Sequence, residues 1–481
     1  MSKDTKTFTY ETRITVCDET LSILDAFGKL YGVMERTLFH DLSLKKESVN
    51  ELKRRYNTQF GVTARHFNGC YRLLLGKIES VKQLRLLEIE RCKERVALLK
   101  KKISHMKNPS ILHQKKRSLH TTESRLETLE KESDVSLCFG GKKLFRAQFY
   151  LKENEYNSHE EWKKDWEAAR SSEFFCIGSK DESAGNQSCV LTEDEKGFLA
   201  RLRLPNSFIQ EHGKYIAIPL VFPAHATKEI LKALRNDQAL SYRFKKDKKG
   251  WRVFVSFDQT RAPIETKDHI GAIGIDINVN HIALTEIDVH GNPIHKKTYP
   301  LSCYGKRTAQ SKALIGDVVK EIVQYAKEKQ KPIVCEELNF KKKKVALKED
   351  VNWRARMLSS FHYSAFLEFL DRKTFREGVV LHTVNPAMTS IIGRIKFAVR
   401  YGLSGHHSAA LVIARRHFHF SEAPAKCMRA IHKRFHVTIE LPVWNRSVHV
   451  WKRWKIIMGK WTTALAAPSQ ASPSQQQCIV G

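Results

Sequence analysis

Residues 271–301, GAIGIDINVNHIALTEIDVHGNPIHKKTYPL, decide the fold of this chain. Successive runs of β-branched and apolar residues predict consecutive antiparallel strands, with His290-Gly291-Asn292-Pro293 as one turn between them. Helices and strands alternate in the residues that follow: a helix at about 307–329, the strand PIVCEELNF (332–340), a helix at about 356–376, the strand VVLHTV (379–384) and a helix near 406–418. Antiparallel strands followed by this alternation indicate an α/β fold of the RNase H-like type.

Two acidic residues stand out in these strands. Asp276 lies in the apolar run IGIDIN, and Glu336 ends the apolar run PIVC. Burying an unpaired carboxylate is costly, and metal coordination removes that cost. An Asp276 side chain at a strand end facing water is the alternative. Consecutive strand residues face opposite sides, so only one of Glu336 and Glu337 can point at a metal. In an RNase H-like sheet the two carboxylates point at one spot, which suits two Mg²⁺ ions in phosphodiester hydrolysis.

The charge of the chain indicates a polyanionic partner. It carries 83 Lys and Arg against 52 Asp and Glu, a formal net charge of +31. Nucleic acid is the usual partner of such a surface, because phosphate contacts release condensed counterions. No run of about 18 apolar residues is present, which argues against a membrane. The N-terminal residues have no apolar core, and the cysteines form no CxxC pairs, so we expect neither a signal peptide nor a disulfide framework.

The chain is predicted to be a multidomain α/β protein. The predicted parts are a β-barrel from residues 1–17 and 136–265, a helical domain at 18–135, the RNase H-like domain at 266–425, a basic Trp-rich segment at 426–463 and a disordered tail at 464–481. Asn108-Pro109 is predicted to break two long helices, at 78–106 and 111–131. The run KLFRAQFYL (143–151) is predicted to be a strand of the barrel. A plain structural β-domain is the alternative to a nucleic-acid-gripping barrel.

Clusters of basic residues are the candidate nucleic-acid contacts. From Arg91 to Arg117 ten Lys or Arg stand against Glu94 alone. Tryptophans that alternate with basic residues near the C-terminus can stack on unpaired bases. A solvated charged face and tryptophans packing a small subdomain are the alternatives. The candidates are Lys100, Lys101, Lys102, Lys115, Lys116, Arg117, Lys245, Lys246, Lys248, Lys249, Lys341, Lys342, Lys343, Lys344, Arg394, Lys396, Arg400, Trp451 and Trp454.

Four segments carry a resemblance to a known family. They are IGIDINVNHIALTE (273–286), VCEELNF (334–340), RMLSSFHYSAFLEFL (356–370) and the stretch from Val384 to Arg416. The chain resembles the TnpB or OrfB-type transposon-associated RNA-guided nucleases, nearest to the TnpB-related accessory proteins, which are relatives of type V CRISPR effectors. The resemblance implies a wedge barrel, a helical recognition domain and a RuvC nuclease domain. It also implies a guide RNA and a double-stranded DNA target, with the protein reading duplex geometry and a short flanking motif.

The sequence departs from that family in two places. No cysteines follow Pro386-Ala387-Met388-Thr389-Ser390, so we expect no zinc ribbon and no zinc. His406 stands where the family has its third acid, which makes Asp276, Glu336 and His406 the candidate catalytic and metal-binding residues. An imidazole favours Mn²⁺ over Mg²⁺, and it can also orient the attacking water. A decayed site is the alternative. His407, about 100° further around the helix, is the weaker candidate.

The sequence therefore predicts an RNA-guided, metal-dependent DNA endonuclease located in the cytoplasm of a prokaryote, associated with the nucleoid. One alternative is a nuclease-impaired RNA-guided DNA-binding protein acting in transposition or transcriptional control. Another is an unguided, structure-specific nuclease or transposase-like enzyme, which would need no bound RNA.

Overall fold

The computed structural model describes residues 4–43, 45, 47–132, 134–179, 185–195, 197–337, 363–420, 422–424, 427–432, 435–440 and 448–466, of which 427–432, 435–440 and 464–466 are described by their backbone. The chain divides into two compact units, Met1–Thr260 and Arg261–Gly481. The predicted lysine run 341–344 lies outside the described residues. So do the first residues of the helix predicted at 356–376 and residues 467–481 of the predicted tail.

The first unit begins with a strand and a set of helices. They are β1 (Thr5–Arg13), α1 (Asp18–Ser43), α2 (Val49–Gln59), α3 (Ala64–Ser104) and α4 (Pro109–Lys131). Helix α3 begins earlier than the predicted residue 78, because the Thr63 hydroxyl accepts a hydrogen bond from the His66 backbone N–H and caps the helix. The predicted break at Asn108-Pro109 is confirmed. The Asn108 side chain accepts from the Ile111 backbone N–H, and Pro109 opens the new helix.

The predicted strand KLFRAQFYL is wrong. Residues Lys142–Ala147 form a short helix, α5, which buries Ala147. Helix α6 (His159–Arg170) packs against it, and the Trp162 indole N–H donates to the Leu144 carbonyl at 2.8 Å. The alternating apolar residues of this run favoured a strand, but nine residues are too few to separate period 2 from a helical turn. The contact with Trp162 decides between them.

Two antiparallel sheets complete the first unit. The remaining elements are β2 (Glu173–Cys176), β3 (Cys189–Asp194), β4 (Gly197–Arg203), α7 (Ile209–His212), β5 (Tyr215–Leu220), α8 (Ala224–Arg235), β6 (Ser241–Asp247) and β7 (Gly250–Thr260). One sheet has the order β1-β7-β6-β2 and the other β3-β4-β5. The N-terminal strand thus joins β7, with Thr5 opposite Thr260. The stacked rings of Phe27, Phe174 and Phe244 fill the core beside the four-stranded sheet, with centroids 4.3 and 4.6 Å apart.

The second unit is built on one mixed five-stranded sheet. Its strands are β8 (Ala272–Ile277), β9 (His281–Ile287), β10 (Pro293–Pro300), β11 (Ile333–Glu336) and β12 (Leu381–Val384), in the order β10-β9-β8-β11-β12. The first three strands are antiparallel, and β11 runs parallel to both β8 and β12. This is the predicted sequence of elements, with the strands that carry Asp276 and Glu336 as neighbours. The chain therefore has the α/β, RNase H-like strand order that the sequence predicts.

Helices cover both faces of this sheet. They are α9 (Thr308–Glu328), α10 (Tyr363–Glu377), α11 (Thr389–Ile392), α12 (Ala398–Tyr401), α13 (Gly405–His417) and α14 (Val450–Ala466), with a π-helical turn at Gly393–Phe397 and a hairpin of β13 (Cys427–His432) and β14 (Phe435–Glu440). Strand β8 is buried along its whole length, between a core shared with α9 and α10 and a core shared with α13 and α14. Because α14 extends to Ala466, residues 464–466 of the predicted disordered tail are helical.

Gly274 sets the distance between β8 and α13. A Cβ at this position would lie 2.0 Å from the Ala410 carbonyl oxygen, so only glycine allows the helix backbone to approach this closely. The helix therefore lies directly on the strand, and its first turn is brought beside Asp276.

Candidate active site

Asp276 lies near the end of β8 with only 8% of its surface exposed. Its Oδ2 accepts a hydrogen bond from the Asn278 side-chain amide at 2.9 Å. The same oxygen is 3.0 Å from the Nδ1 atom of His406. Asn278 follows Asp276 by two residues, directly after the end of β8, and its side chain turns back to the carboxylate. The buried carboxylate is thus held by one amide and one imidazole.

Glu336 is the last residue of β11 and is half-buried, whereas Glu337 is exposed. The Thr389 hydroxyl donates to Glu336 Oε1. Glu337 instead uses its backbone N–H, which donates to the Val384 carbonyl at 2.7 Å and continues the pairing toward β12. Of the two consecutive acids, Glu336 is therefore the one whose side chain turns into the protein beside Thr389.

Tyr363 lies within electrostatic range of the carboxylates of both Asp276 and Glu336. Burial raises the pKa of its phenol to about 12, and the negative charges of Asp276 and Glu336 both contribute to the rise. The hydroxyl donates to the Ile277 carbonyl at 3.1 Å, one residue after Asp276. A single side chain at the start of α10 thus lies within electrostatic range of both acids, which are 60 residues apart in the sequence.

His406 and His407 face different partners. Both lie in the first turn of α13, where the Ser404 hydroxyl accepts from the His407 backbone N–H. The His407 ring is 3.1 Å from the Thr298 hydroxyl and 2.8 Å from the Ser404 hydroxyl, whereas His406 reaches Asp276. The edge of the His281 ring meets His406, with centroids 4.7 Å apart. Burial and the neighbouring His406 lower the pKa of His281.

Two carboxylates and one imidazole form a donor set that suits Mn²⁺ or Mg²⁺. Among the described residues, however, the side chains that offer three ligand atoms within 4.8 Å of one another are Asp268, His382 and His417. Asp276, Glu336 and His406 are therefore spaced more widely than the ligands of one ion. Two ions about 3.5–4 Å apart need such a wider set. The two carboxylates and the imidazole fit a two-ion site in the chemistry of their donor atoms.

Asn278, Tyr363 and Thr389 are contacts of the site that were not among the sequence candidates. Asn278 was detectable, because it lies two residues from Asp276, within reach of its carboxylate. Thr389 belongs to the Pro386–Ser390 segment, and only the fold brings it to Glu336. Tyr363 opens α10, where it would have been assigned to the apolar face of that helix.

The basic candidates next to the site have different environments. Lys396 forms an ion pair with Glu422 at 2.6 Å, so it is held within the protein. Arg394 is half-buried beside Gly405 at the start of α13. Arg400 is exposed, with its guanidinium 5.2 Å from the Tyr401 ring centroid. Arg394 and Arg400 are therefore the candidates on this side that a polyanion could contact.

The basic candidates of the first unit lie on its surface. Lys100 pairs with Glu123 at 2.9 Å, and Lys246 pairs with Asp25 at 2.7 Å. Both pairs are exposed, and exposed pairs contribute little to stability. The other exposed candidates are Lys101, Lys102, Lys116, Arg117, Lys248 and Lys249, and the half-buried ones are Lys115 and Lys245. These side chains remain predicted contacts.

Trp454 is not placed to stack on a base. It is 1% exposed, packs with Ile457 and Trp461 in the core of the second unit, and donates its indole N–H to the Glu422 carbonyl at 2.6 Å. The alternative, in which tryptophan packs the subdomain, is correct for this residue. Trp451 differs, since it is 42% exposed and lies beside the Arg416 guanidinium, 5.4 Å from the ring centroid.

Comparisons with known proteins find distant structural similarity. No protein-family model and no curated protein matches the chain. The Cas12f1–sgRNA–target DNA complex is 14% identical, with 86% of this chain and 99% of that chain aligned at a TM-score of 0.37. RuvC of T. thermophilus, in complex with a Holliday junction substrate, is 17% identical over 31% of this chain and 93% of that chain, at a TM-score of 0.23.

The Cas12i1 R-loop complex after target DNA cleavage is 9% identical over 76% of this chain and 56% of that chain, at a TM-score of 0.24. The structural neighbours are therefore RuvC and type V CRISPR effectors at low identity. The fold assignment itself rests on the strand order of the second unit. In the described part of the chain, no helix combines the length and the apolar composition needed to cross a membrane.

Proposed function

We propose that this chain is an RNA-guided DNA endonuclease of the TnpB type that cleaves phosphodiester bonds at a RuvC-like metal site. The observation that carries the proposal is the contact between Asp276 on β8 and His406, next to the neighbouring strand β11 that ends at Glu336. Asp276 Oδ2 lies 3.0 Å from His406 Nδ1. The charges of Asp276 and Glu336 both contribute to the raised pKa of Tyr363. The family resemblance of the four sequence segments supports the same assignment.

Asp276 and Glu336 are the residues that would hold Mg²⁺ or Mn²⁺. When bound, such ions orient water and stabilise the leaving oxygen. Thr389 keeps one Glu336 oxygen in place, and Asn278 does the same for Asp276. The two carboxylates therefore enter the reaction already oriented, which removes the cost of ordering them in the transition state.

His406 can perform the role of the acid that it replaces, but as a neutral group. If its Nδ1–H donates to Asp276, the lone pair is on Nε2, on the other side of the ring. That nitrogen can ligate an ion or take the proton of the attacking water. The pairing of an imidazole with a carboxylate fixes both the tautomer and the ring orientation. The exchange of an acid for a neutral imidazole also removes one negative charge, so we expect weaker binding of Mg²⁺ and a preference for Mn²⁺.

The proposed partners are a guide RNA and a double-stranded DNA target. The net charge of +31 and the exposed basic residues of α3, α4 and the β6–β7 hairpin support them. We assign the β-strands of the first unit, including β1, to a wedge-type barrel and helices α1–α4 to target recognition. The second unit would hold the nuclease site. A protein of this kind acts in the prokaryotic cytoplasm, at the nucleoid.

A second candidate function is favoured by the same contact between His406 and Asp276. A protonated His406 would neutralise the Asp276 carboxylate without any metal ion, because the two atoms are at ion-pair distance. The protein would then bind its target under RNA guidance without cutting it, and would act in transposition or transcriptional control.

One experiment separates the two candidates. The protein is purified with its native locus expressed, the bound RNA is sequenced, and a matched DNA target is offered with Mg²⁺ or Mn²⁺. The nuclease predicts cleavage that Asp276→Asn and Glu336→Ala abolish and that Glu337→Ala, the matched control at the neighbouring exposed acid, retains. The binder predicts target binding without cleavage, and cleavage only after His406→Asp. Cleavage without any bound RNA would refute the guided mechanism.

A further inference from the structure

A second cluster of metal-ligating side chains lies in the second unit, outside the site described above. Asp268, His382 and His417 each offer one ligand atom, and these atoms all lie within 4.8 Å of one another. Both histidines present Nε2 to the same carboxylate oxygen. His382 Nε2 is 3.3 Å and His417 Nε2 is 3.7 Å from Asp268 Oδ1. The two rings stack with centroids 3.9 Å apart.

The two Asp268–histidine separations have the size expected for ligands around one ion, whereas the stacked rings, with centroids 3.9 Å apart, must open to about 5 Å for both imidazoles to bind one tetrahedral ion. Zinc–nitrogen and zinc–oxygen bonds of about 2.0–2.2 Å in a tetrahedral site place neighbouring ligand atoms about 3.4 Å apart. The 3.3 Å and 3.7 Å separations bracket that edge. The His382–Asp268 contact is within hydrogen-bond distance, whereas the His417–Asp268 separation is longer than a good N–H···O hydrogen bond.

Three different elements hold the ligands. Asp268 begins the 3₁₀ turn Asp268–Ile270 that precedes β8, His382 is the second residue of β12, and His417 is the last residue of α13. The histidines are partly buried, with side chains 28% and 19% exposed, whereas Asp268 is 57% exposed. The packed elements orient the two imidazoles, and the exposed carboxylate leaves an open path for an ion and a water.

The cluster is separate from Asp276 and His406. His406 and His417 lie at opposite ends of α13, eleven residues apart, which is about 16 Å along the helix. Asp268 precedes β8, whereas Asp276 lies near its other end. A ligand at one place therefore cannot contact the other, and a role for this cluster does not depend on the proposed nuclease function.

We propose that Asp268, His382 and His417 form a binding site for a transition-metal ion of the Zn²⁺ class. Two imidazoles with one carboxylate are a ligand set of borderline softness, which selects Zn²⁺ or Co²⁺ over Mg²⁺ and Ca²⁺. With three protein ligands and the exposed carboxylate side open, water completes the coordination. The ion would link the turn that precedes β8, strand β12 and the C-terminal end of α13. This site involves no cysteine, so it is not the zinc ribbon whose absence the sequence predicts, but it replaces the broader expectation that the chain binds no zinc.

The test measures metal binding by the full-length, untagged protein after chelation and dialysis. It uses Zn²⁺ in calorimetry and Co²⁺ in visible absorption, where a four-coordinate site gives intense ligand-field bands. A background of Asp276→Asn, Glu336→Gln and His406→Asn removes the proposed active-site ligands, so that failure of that proposal and of this one are distinguishable. We expect one equivalent of Zn²⁺ to bind in this background, and each of His382→Gln, His417→Gln and Asp268→Asn to weaken it at least about tenfold.

The matched control is His269→Gln, next to Asp268 but outside the cluster, which should leave the affinity unchanged. Circular dichroism of each variant excludes loss of folding as the cause of lost binding. The proposal is overturned if the folded background protein binds no Zn²⁺, or if the double variant His382→Gln, His417→Gln binds it as tightly as the background. Retention of one equivalent of Mg²⁺ in place of Zn²⁺ would equally refute the assignment to a transition metal.

Discussion

Gly274→Ala tests whether the contact between β8 and α13 positions the candidate active site. A Cβ at residue 274 would lie 2.0 Å from the Ala410 carbonyl oxygen, and such atoms rarely approach closer than about 3.3 Å, so the helix must move by about 1 Å. Overpacking of this kind costs about 1–3 kcal/mol of unfolding free energy. A 1 Å displacement of His406 relative to Asp276 is expected to reduce cleavage about 100-fold.

Hydrogen exchange of the β8 and α13 peptides measures the stability of the second unit, and cleavage of matched DNA measures the site. The matched control is Gly316→Ala in α9, where the nearest atoms to the new Cβ are 3.9 Å away. Alanine is the better helix former, so this variant should gain about 0.5–1 kcal/mol. If the β8 and α13 peptides of the Gly274→Ala variant exchange as slowly as those of the parent protein, and the variant cleaves DNA at the same rate, α13 does not pack against Gly274 at the stated distance.

Three further predictions concern stability and binding. Lys331→Met should cost about 3–5 kcal/mol in urea unfolding, because it leaves Glu286 buried without the ammonium 2.7 Å away, and adding Glu286→Leu should restore most of the loss. Trp454→Ala should cost about 3–5 kcal/mol, whereas Trp451→Ala should leave stability within about 0.5 kcal/mol and weaken nucleic-acid binding in a filter assay. Burial opposes the ionisation of Asp41, but hydrogen bonds from Tyr56, Lys45 and His40 outweigh it and lower its pKa to about 2. Since the unfolded pKa is about 3.9, this stabilisation is complete above pH 4 and lost as the pH falls toward 2, so Asp41→Asn should flatten that part of the acid-unfolding curve.

The sequence was sufficient for the order of strands and helices along the second unit, because apolar runs bounded by turn residues predict them. The neighbours within the sheet followed only from the RNase H-like arrangement, since α9 joins β10 to β11 but β11 pairs with β8. The distinction between His406 and His407 also followed from helix geometry, since a rotation of about 100° separates them. The structure places His406 beside Asp276 and His407 beside Thr298. Local periodicity carries this kind of information.

Contacts between distant segments carried no such signal. Asp268 and His382 are 114 residues apart and approach only because β12 and the turn before β8 meet at one edge of the sheet. The secondary structure of the KLFRAQFYL run depends on a contact with Trp162, which lies outside the run. Trp454 was a different case. Trp454, Ile457 and Trp461 have helical spacing, and that stripe predicts burial more strongly than the neighbouring basic residues predict a base contact.

The close contact between α13 and Gly274 is also a point about which that helix can tilt. Ala410 lies four residues after His406 and seven before His417, so the contact divides the helix into arms of about 6 and 10 Å. A tilt about this contact moves His406 and His417 in opposite directions. His406 moves less, because it lies closer to Ala410. A rigid tilt of α13 about this contact would therefore change both the His417–Asp268 and the His406–Asp276 distances, and the change would be smaller at His406.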